Sequence, residues 1–320
     1  MPTFLIVGDP HVTTNDIEDC QNLLDLVIQK AKDLSPDYVV LLGDLYNTHS
    51  IVDTRCIHFW DQNLRALAKL AKVLVVLGNH DQCTPTIRHP HALLPHQDIP
   101  NVIIVDKFYQ GDGFAALPYE VDPVEFIKVS KETYQEGTSF LFCHQTFYGS
   151  EFYAKDAAEP SAVPYKVIVS GHIHNPMKFG KVWYPGAPRW KTLADANQDR
   201  FVYFLNGKVT QFPTDTVCKR IYKYEDVEGA PLEIDLSPEK LLKADIRVDI
   251  RGSQKYISER MVELKAKYKA RCRTFPISIK KQRVSEAEGI AVAFKRFAKS
   301  FVPPNGTDPA LLMKLAEELL

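Results

Sequence analysis

Short apolar runs punctuate the first two-thirds of the chain: FLIVGD (4–9), YVVLLGD (38–44), VLVVLGN (73–79), VIIVD (102–106), SFLFCH (139–144) and YKVIVSGH (165–172). They are β-branched and almost unbroken in apolar character, as strands covered on both faces tend to be. Between the first two, residues 16–32 put Leu23, Leu24, Val27, Ile28 and Ala31 at helical spacing. A second helix is predicted over about 53–71. Strands alternating with helices predict a layered α/β fold.

The texture changes near Pro213. Residues 213–240 are polar and acidic and read as a connection. A strand (Asp245–Ile250), a helix (about 254–269) and a strand (Thr274–Ile279) then predict a small β-α-β unit. A helix follows over about 285–300. PPNGTDP breaks the chain, and ALLMKLAEELL closes it as an amphipathic helix with Leu311, Leu312, Leu315 and Leu319 on one face. The expected division is 1–215, 216–284 and 285–320.

With 320 residues, 45% of them hydrophobic, the chain can bury one large core and a smaller one. It has no apolar run of about eighteen residues, so no transmembrane helix is expected. MPTFLIVGDPH has neither a basic leader nor a small-residue cleavage site, so no signal peptide is expected. Six cysteines without a CxxC pair argue for reduced thiols in a cytoplasm, against a disulfide frame or cysteine-ligated zinc. The net charge of −1 is uneven. Residues 1–215 hold 18 Lys and Arg against 25 Asp and Glu, and residues 216–320 hold 21 against 15. An acidic front and basic back suggest a cation site in one and a polyanion contact in the other.

The candidate chemistry sits where the strands end. The first delivers Asp9 and His11, the second Asp44, the third Asn79, His80 and Asp81, and later ones His144, then His172 and His174. That carboxyl edge is where ligands bind in α/β sheets. On extended chain, His172 and His174 would point to the same side. Asp9, Asp44, Asn79, His11, His144, His172 and His174 form a mixed nitrogen and oxygen set that suits manganese, iron or zinc better than magnesium or calcium alone. Seven ligands are too many for one ion. With Asp44 as a bridge they fill two four-ligand sites. Each residue alone would read as a turn, cap or surface group; five such motifs in order would not.

The order Asp-x-His, Gly-Asp, Gly-Asn-His-Asp, His, Gly-His-x-His resembles the calcineurin-like metallophosphoesterase signature. The resemblance implies a layered α/β sandwich, with Asp9, His11, Asp44 and His174 holding one metal and Asp44, Asn79, His144 and His172 the other. His80 would face the scissile phosphate as the catalytic group, its tautomer and orientation set by Asp81. The protein serine/threonine phosphatases of the superfamily carry GNHE and GDxVDRG where this chain has GNHD and GDLYNTH.

RHPHALLPHQDIPNVIIVDK and YPGAPRW (184–190) instead resemble SbcD/Mre-type nucleases, by length their compact phage form. That resemblance implies a nuclease domain (1–215), a DNA-binding capping domain (216–284) and a helical tail (285–320) docking on a coiled-coil SbcC/Rad-type ATPase. It implies two manganese ions, 3′–5′ action on double-stranded DNA, endonuclease action on single strands, and a homodimer, for which 53–71 is the candidate helix. It also implies a role in DNA repair, recombination or replication, in host cytoplasm if the gene is a phage's. Family members often carry His three residues after the Gly-Asp aspartate; here Asn47 stands there, and His49 lies nearby as a candidate accessory group. Lys265, Lys267, Lys269, Arg271, Arg273, Lys280, Lys281 and Arg283 fall in a stretch with no acidic residue, which suggests phosphate-backbone contacts. His89, His91 and His96 read as residues of a Pro-rich loop, with His89 or Arg88 a minor candidate for the substrate path. Two other readings stay open: a small-molecule phosphodiesterase, and a DNA-end-binding scaffold without catalysis.

Overall fold

A computed structural model describes residues 2–150 and 157–276. The elements run β1 (Phe4–Val7), α1 (Ile17–Leu34), β2 (Tyr38–Leu41), α2 (Thr54–Ala68), β3 (Lys72–Val76), β4 (Val102–Val105), β5 (Tyr109–Gln110), β6 (Phe114–Ala116), α3 (Pro123–Glu132), β7 (Phe140–Cys143) and β8 (Val167–Ser170). Then come β9 (Met177–Phe179), β10 (Val182–Tyr184), β11 (Phe201–Asn206), β12 (Lys208–Pro213), β13 (Arg220–Val227), α4 (Pro238–Leu242), β14 (Ala244–Gly252), α5 (Gln254–Tyr268) and β15 (Arg271–Pro276).

Two six-stranded sheets stack face to face, in the orders β12-β11-β1-β2-β3-β4 and β5-β6-β7-β8-β10-β9. β1 to β4 are parallel, as are β6, β7, β8 and β10; antiparallel strands finish the edges. The apolar runs are explained by what covers them. Alternate residues of β1 face opposite ways. Phe4 and Ile6 pack into the layer between the sheets with Val40, Leu74, Phe114, Phe142 and Val169. Leu5 and Val7 pack outward with Leu23, Leu24 and Val27 of α1 and Trp60 and Leu64 of α2. The second sheet's outer face is closed by Phe126 of α3, Phe147 and Tyr165. Helices, sheet, sheet and helix make the layered α/β sandwich that the resemblance implies.

A third, all-parallel sheet, β13-β14-β15, carries its own core of Ile246, Val248, Ile250, Ile257 and Leu264. Two expectations are corrected here. The stretch 213–240 contains the eight-residue strand β13, in which six positions are only partly buried or exposed and one of the two buried ones is Asp226, so its sequence lacks the apolar run of the other strands. The last strand starts at Arg271, earlier than Thr274, because α5 ends in a left-handed Lys269 (φ 52°) that turns the chain back at once. The predicted helices over 285–300 and 310–320 lie outside the described residues. Among the described residues, no helix is long and apolar enough to cross a membrane.

Asp226 anchors the third sheet. Its buried carboxylate accepts from Leu232 N–H, Tyr256 O–H and Arg260 Nε. Burial opposes the charge, but these donors outweigh it and hold Asp226 below the usual carboxylate range. Asp226→Ala is expected to cost about 1–3 kcal/mol, because it removes the acceptor shared by the Leu232 N–H, the Tyr256 O–H and Arg260 Nε, while Arg260 keeps its pair with Glu263; chemical denaturation of the variant checks this. With a depressed folded pKa, the contribution is full at neutral pH and is lost as pH falls below the usual carboxylate range.

Candidate active site

All seven candidate ligands and His80 sit past the carboxyl ends of strands from both stacked sheets. Asp9 and His11 follow β1, Asp44 follows β2, and Asn79 and His80 follow β3; His144 follows β7, and His172 and His174 follow β8. Asp44 lies at the centre. Its Oδ2 is 3.3 Å from His11 Nε2 and 3.4 Å from His144 Nε2, while its Oδ1 accepts the His80 N–H at 2.8 Å. On one side, His11 Nε2 stands 3.0 Å from His174 Nε2. On the other, Asn79 Oδ1 is 2.9 Å from His144 Nε2 and 2.8 Å from His172 Nδ1, and those two nitrogens are 3.3 Å apart. Asp9 Oδ2 accepts the His172 N–H, and its Oδ1 is buried without a hydrogen-bond partner 3.7 Å from His144 Nδ1.

Three of these residues adopt the left-handed conformation: His11 (φ 47°), Asp44 (φ 50°) and His172 (φ 80°). Such residues are uncommon off glycine and gather at functional sites. This corrects the extended-chain premise for His172 and His174. The chain turns at His172, sending its Nδ1 toward Asn79 while His174 meets His11. Gly78 lets the segments that follow β2 and β3 approach closely: a Cβ there would stand 2.3 Å from the Asp44 nitrogen.

The donor chemistry fits cations. The His144 Nδ1–H donates to the Leu42 carbonyl at 2.8 Å, so Nε2 is the nitrogen that faces Asp44, Asn79 and His172. Burial holds His11 and His172 down at about 3 and lowers His174, which leaves neutral, ligating imidazoles. Burial acts likewise on His144, but Asp44 and Asp9 overcome it and push that imidazole up to about 9. Acceptor atoms converging this closely need a proton or a cation among them, and a metal ion meets that need while releasing the proton. Two triads of ligand-type side chains form around Asp44: His11, Asp44 and His80, and Asp44, His144 and His172. The first brings His80 within ligand reach, although the resemblance makes it a non-ligand.

Asp81 does not touch the His80 ring. It is buried beneath the turn and accepts the backbone N–H groups of Tyr46 and Gly78 at 3.1 Å each. The acceptor for the His80 Nδ1–H is the Asn47 carbonyl, at 3.0 Å. His49 stacks on His80, with ring centroids 4.9 Å apart and planes at 14°. Lys265, Lys267, Lys269, Arg271 and Arg273 are exposed on α5 and β15, with Arg273 paired to Asp249. Lys280, Lys281 and Arg283 lie outside the described residues.

Sequence reasoning missed the support around the ligands. Buried Arg189 donates to the Pro10 carbonyl (2.7 Å) and to Asp19 (3.0 Å), tying YPGAPRW to the loop that carries His11. Arg200 donates to the His174 carbonyl and pairs with Asp195. Tyr119 stacks on His172.

Residues 2–176 match the profile of a family described as calcineurin-like phosphoesterase. The chain belongs to this family. Calcineurin-like phosphoesterases use divalent metals, and the Asp and His clusters around Asp44 are its candidate metal site here. The chain is similar to "Putative phosphoesterase 078R" of Invertebrate iridescent virus 3, 28% identical over 200 residues that cover 57% of this chain and 56% of that one. It is also similar to "Putative phosphoesterase 244L" of Invertebrate iridescent virus 6, 26% identical over 57% of this chain and 68% of that one. The match thus spans little more than half the length of the first of these relatives. Among solved structures, TT1561 of Thermus thermophilus aligns with TM-score 0.43 and 14% identity, covering 67% of this chain and 99% of that one. Nuclease MPE of Pseudomonas putida aligns with TM-score 0.32 and 15% identity, covering 65% and 87%.

Gly78→Ala is expected to push Asp44 aside and weaken divalent-metal binding by about 10–100-fold. Titration calorimetry with manganese checks this; unchanged affinity would remove Asp44 from the centre.

Proposed function

We propose that this metal-dependent phosphoesterase is a DNA nuclease. It would hydrolyse phosphodiesters with two manganese ions, 3′–5′ on double-stranded DNA and endonucleolytically on single strands, in recombination, repair or replication. The carrying observation is the donor geometry about Asp44, which suits two cations sharing one carboxylate. Asp9, His11, Asp44 and His174 would hold one, and Asp44, Asn79, His144 and His172 the other. When bound, the pair neutralises the anionic diester and lowers the pKa of water.

The rest is the work of side chains. His80 presents Nε2 with its other nitrogen tied to the Asn47 carbonyl, the orientation a proton donor to the leaving oxygen needs. His49 backs that ring by stacking. Tyr119 covers one face of His172. The exposed bases of α5 and β15 would meet phosphate on residues 216–284, the proposed capping domain, without reading sequence. We further propose a homodimer through α2, docking of 285–320 on an SbcC/Rad-type ATPase, and a cytoplasmic setting, which six unbridged cysteines support.

A small-molecule phosphodiesterase is the second reading, favoured by the family match ending at residue 176, short of the basic unit.

With manganese and end-labelled single- and double-stranded DNA beside bis-p-nitrophenyl phosphate, DNA cleavage is expected. His80→Ala should lower it about 10²–10⁴-fold with metal still bound. Turnover of the small diester alone supports the second reading. Lys265→Ala with Lys269→Ala should flatten the dependence of log affinity for duplex DNA on log salt by about 0.9 for each phosphate no longer neutralised; an unchanged slope would move the DNA path elsewhere.

A further inference from the structure

The connection from β3 to β4 gathers ligand-type side chains away from Asp44. Residues 77–101 form it, long for a link between neighbouring strands. His89 and His91 come from its middle, and Asp106 directly follows β4. Their ligand atoms lie within 4.8 Å of one another. We propose that His89, His91 and Asp106 bind a third divalent ion, of the zinc type, which pins this loop to the end of β4.

The decisive group is His91. Its side chain is 1% exposed, yet Nδ1 has no hydrogen-bond partner and Nε2 has only the Asp106 carboxylate, at the limit of hydrogen-bond distance. A neutral imidazole carries one N–H and one lone pair, and burying either unmatched is costly. Its Nε2 faces Asp106 Oδ2 at 3.5 Å, and His89 Nε2 stands 4.0 Å from the same oxygen. Donors about 2.0–2.2 Å from a tetrahedral zinc ion stand roughly 3.4 Å apart. The gap closes with a small rotation of His89, whose side chain is half exposed. Two imidazoles and a carboxylate suit zinc better than magnesium or calcium. The neighbouring cation does not fill the place. Arg88 pairs with Glu120 at 2.7 Å and donates to the Tyr119 and Asp106 carbonyls, leaving the Asp106 carboxylate to the histidines.

The pinned segment touches the catalytic turn. The Ala92 N–H donates to the Asp81 carbonyl at 2.8 Å, one residue beyond His80. The ion would be a clip for the loop that begins with Asn79, His80 and Asp81. It would take no part in hydrolysis.

The test counts zinc. Chelator-stripped full-length protein is equilibrated with micromolar zinc chloride, gel-filtered and assayed by atomic emission. It is compared with a loop variant (His91→Gln, Asp106→Asn) and a catalytic-site variant (Asp44→Asn, His172→Gln). The loop variant is expected to hold one zinc per chain fewer than the natural protein, and the catalytic-site variant to keep one. Equal counts in loop variant and natural protein, both folded by circular dichroism, overturn the proposal, as does a folded catalytic-site variant without zinc. Cobalt gives an independent reading: the catalytic-site variant should show a d–d band that His91→Gln abolishes, and a band surviving that change overturns the site. Because the two variants report on separate clusters, failure of the clip and failure of the Asp44 centre are told apart.

Discussion

Asp44 places a carboxylate where the two stacked sheets meet, within 3.4 Å of an imidazole from each. A buried charge of this kind is tolerated only when paired or coordinated. Burial would raise Asp44, but His144, by charge and hydrogen bond, and then His11 hold it far below the ordinary carboxylate range. The surrounding architecture serves that position. The segments that follow β2 and β3 pack closely enough at Gly78 to set the carboxylate's height, and the layer of Phe4, Phe114 and Phe142 holds the sheets in register beneath it. The donors are useful as a set because five hydrophobic strands aim them at one edge.

A ring of ion pairs then stiffens the loops. Arg189 spans Asp19 and the Pro10 carbonyl, Lys191 reaches Asp16, and Arg200 joins Asp195 to the His174 carbonyl. These residues touch backbone beside the ligands and leave the donor atoms free. Their charges are compensated inside the ring, which keeps the positive potential of buried arginines from competing with a cation at Asp44.

Much of this was legible in the sequence because two-sided burial writes itself as unbroken apolar runs. β1, β2, β3, β4, β7 and β8 announce themselves that way, and their polar ends mark the site. The shorter strands did not: β5 has two residues, β9 and β10 three each, and β13 alternates partly buried positions with polar ones. The placement of His80 illustrates a deeper limit. Its partner is the carbonyl of Asn47, a group every residue has, so the side chain at that position gave no clue. Asp81 looked like an orienting carboxylate because it adjoins His80, yet the turn sends it inward to hold Tyr46 and Gly78. Neighbours in sequence point to opposite sides of a tight turn.

The left-handed backbone at His11, Asp44 and His172 sets folding and chemistry against each other. Each such L-residue costs of order 1–3 kcal/mol relative to a relaxed conformation. Glycine at these three positions would relieve the backbone and remove the donors, so selection for thermal robustness alone would drift toward an inert scaffold. A natural chain that keeps all three side chains there bears the mark of selection for what they hold.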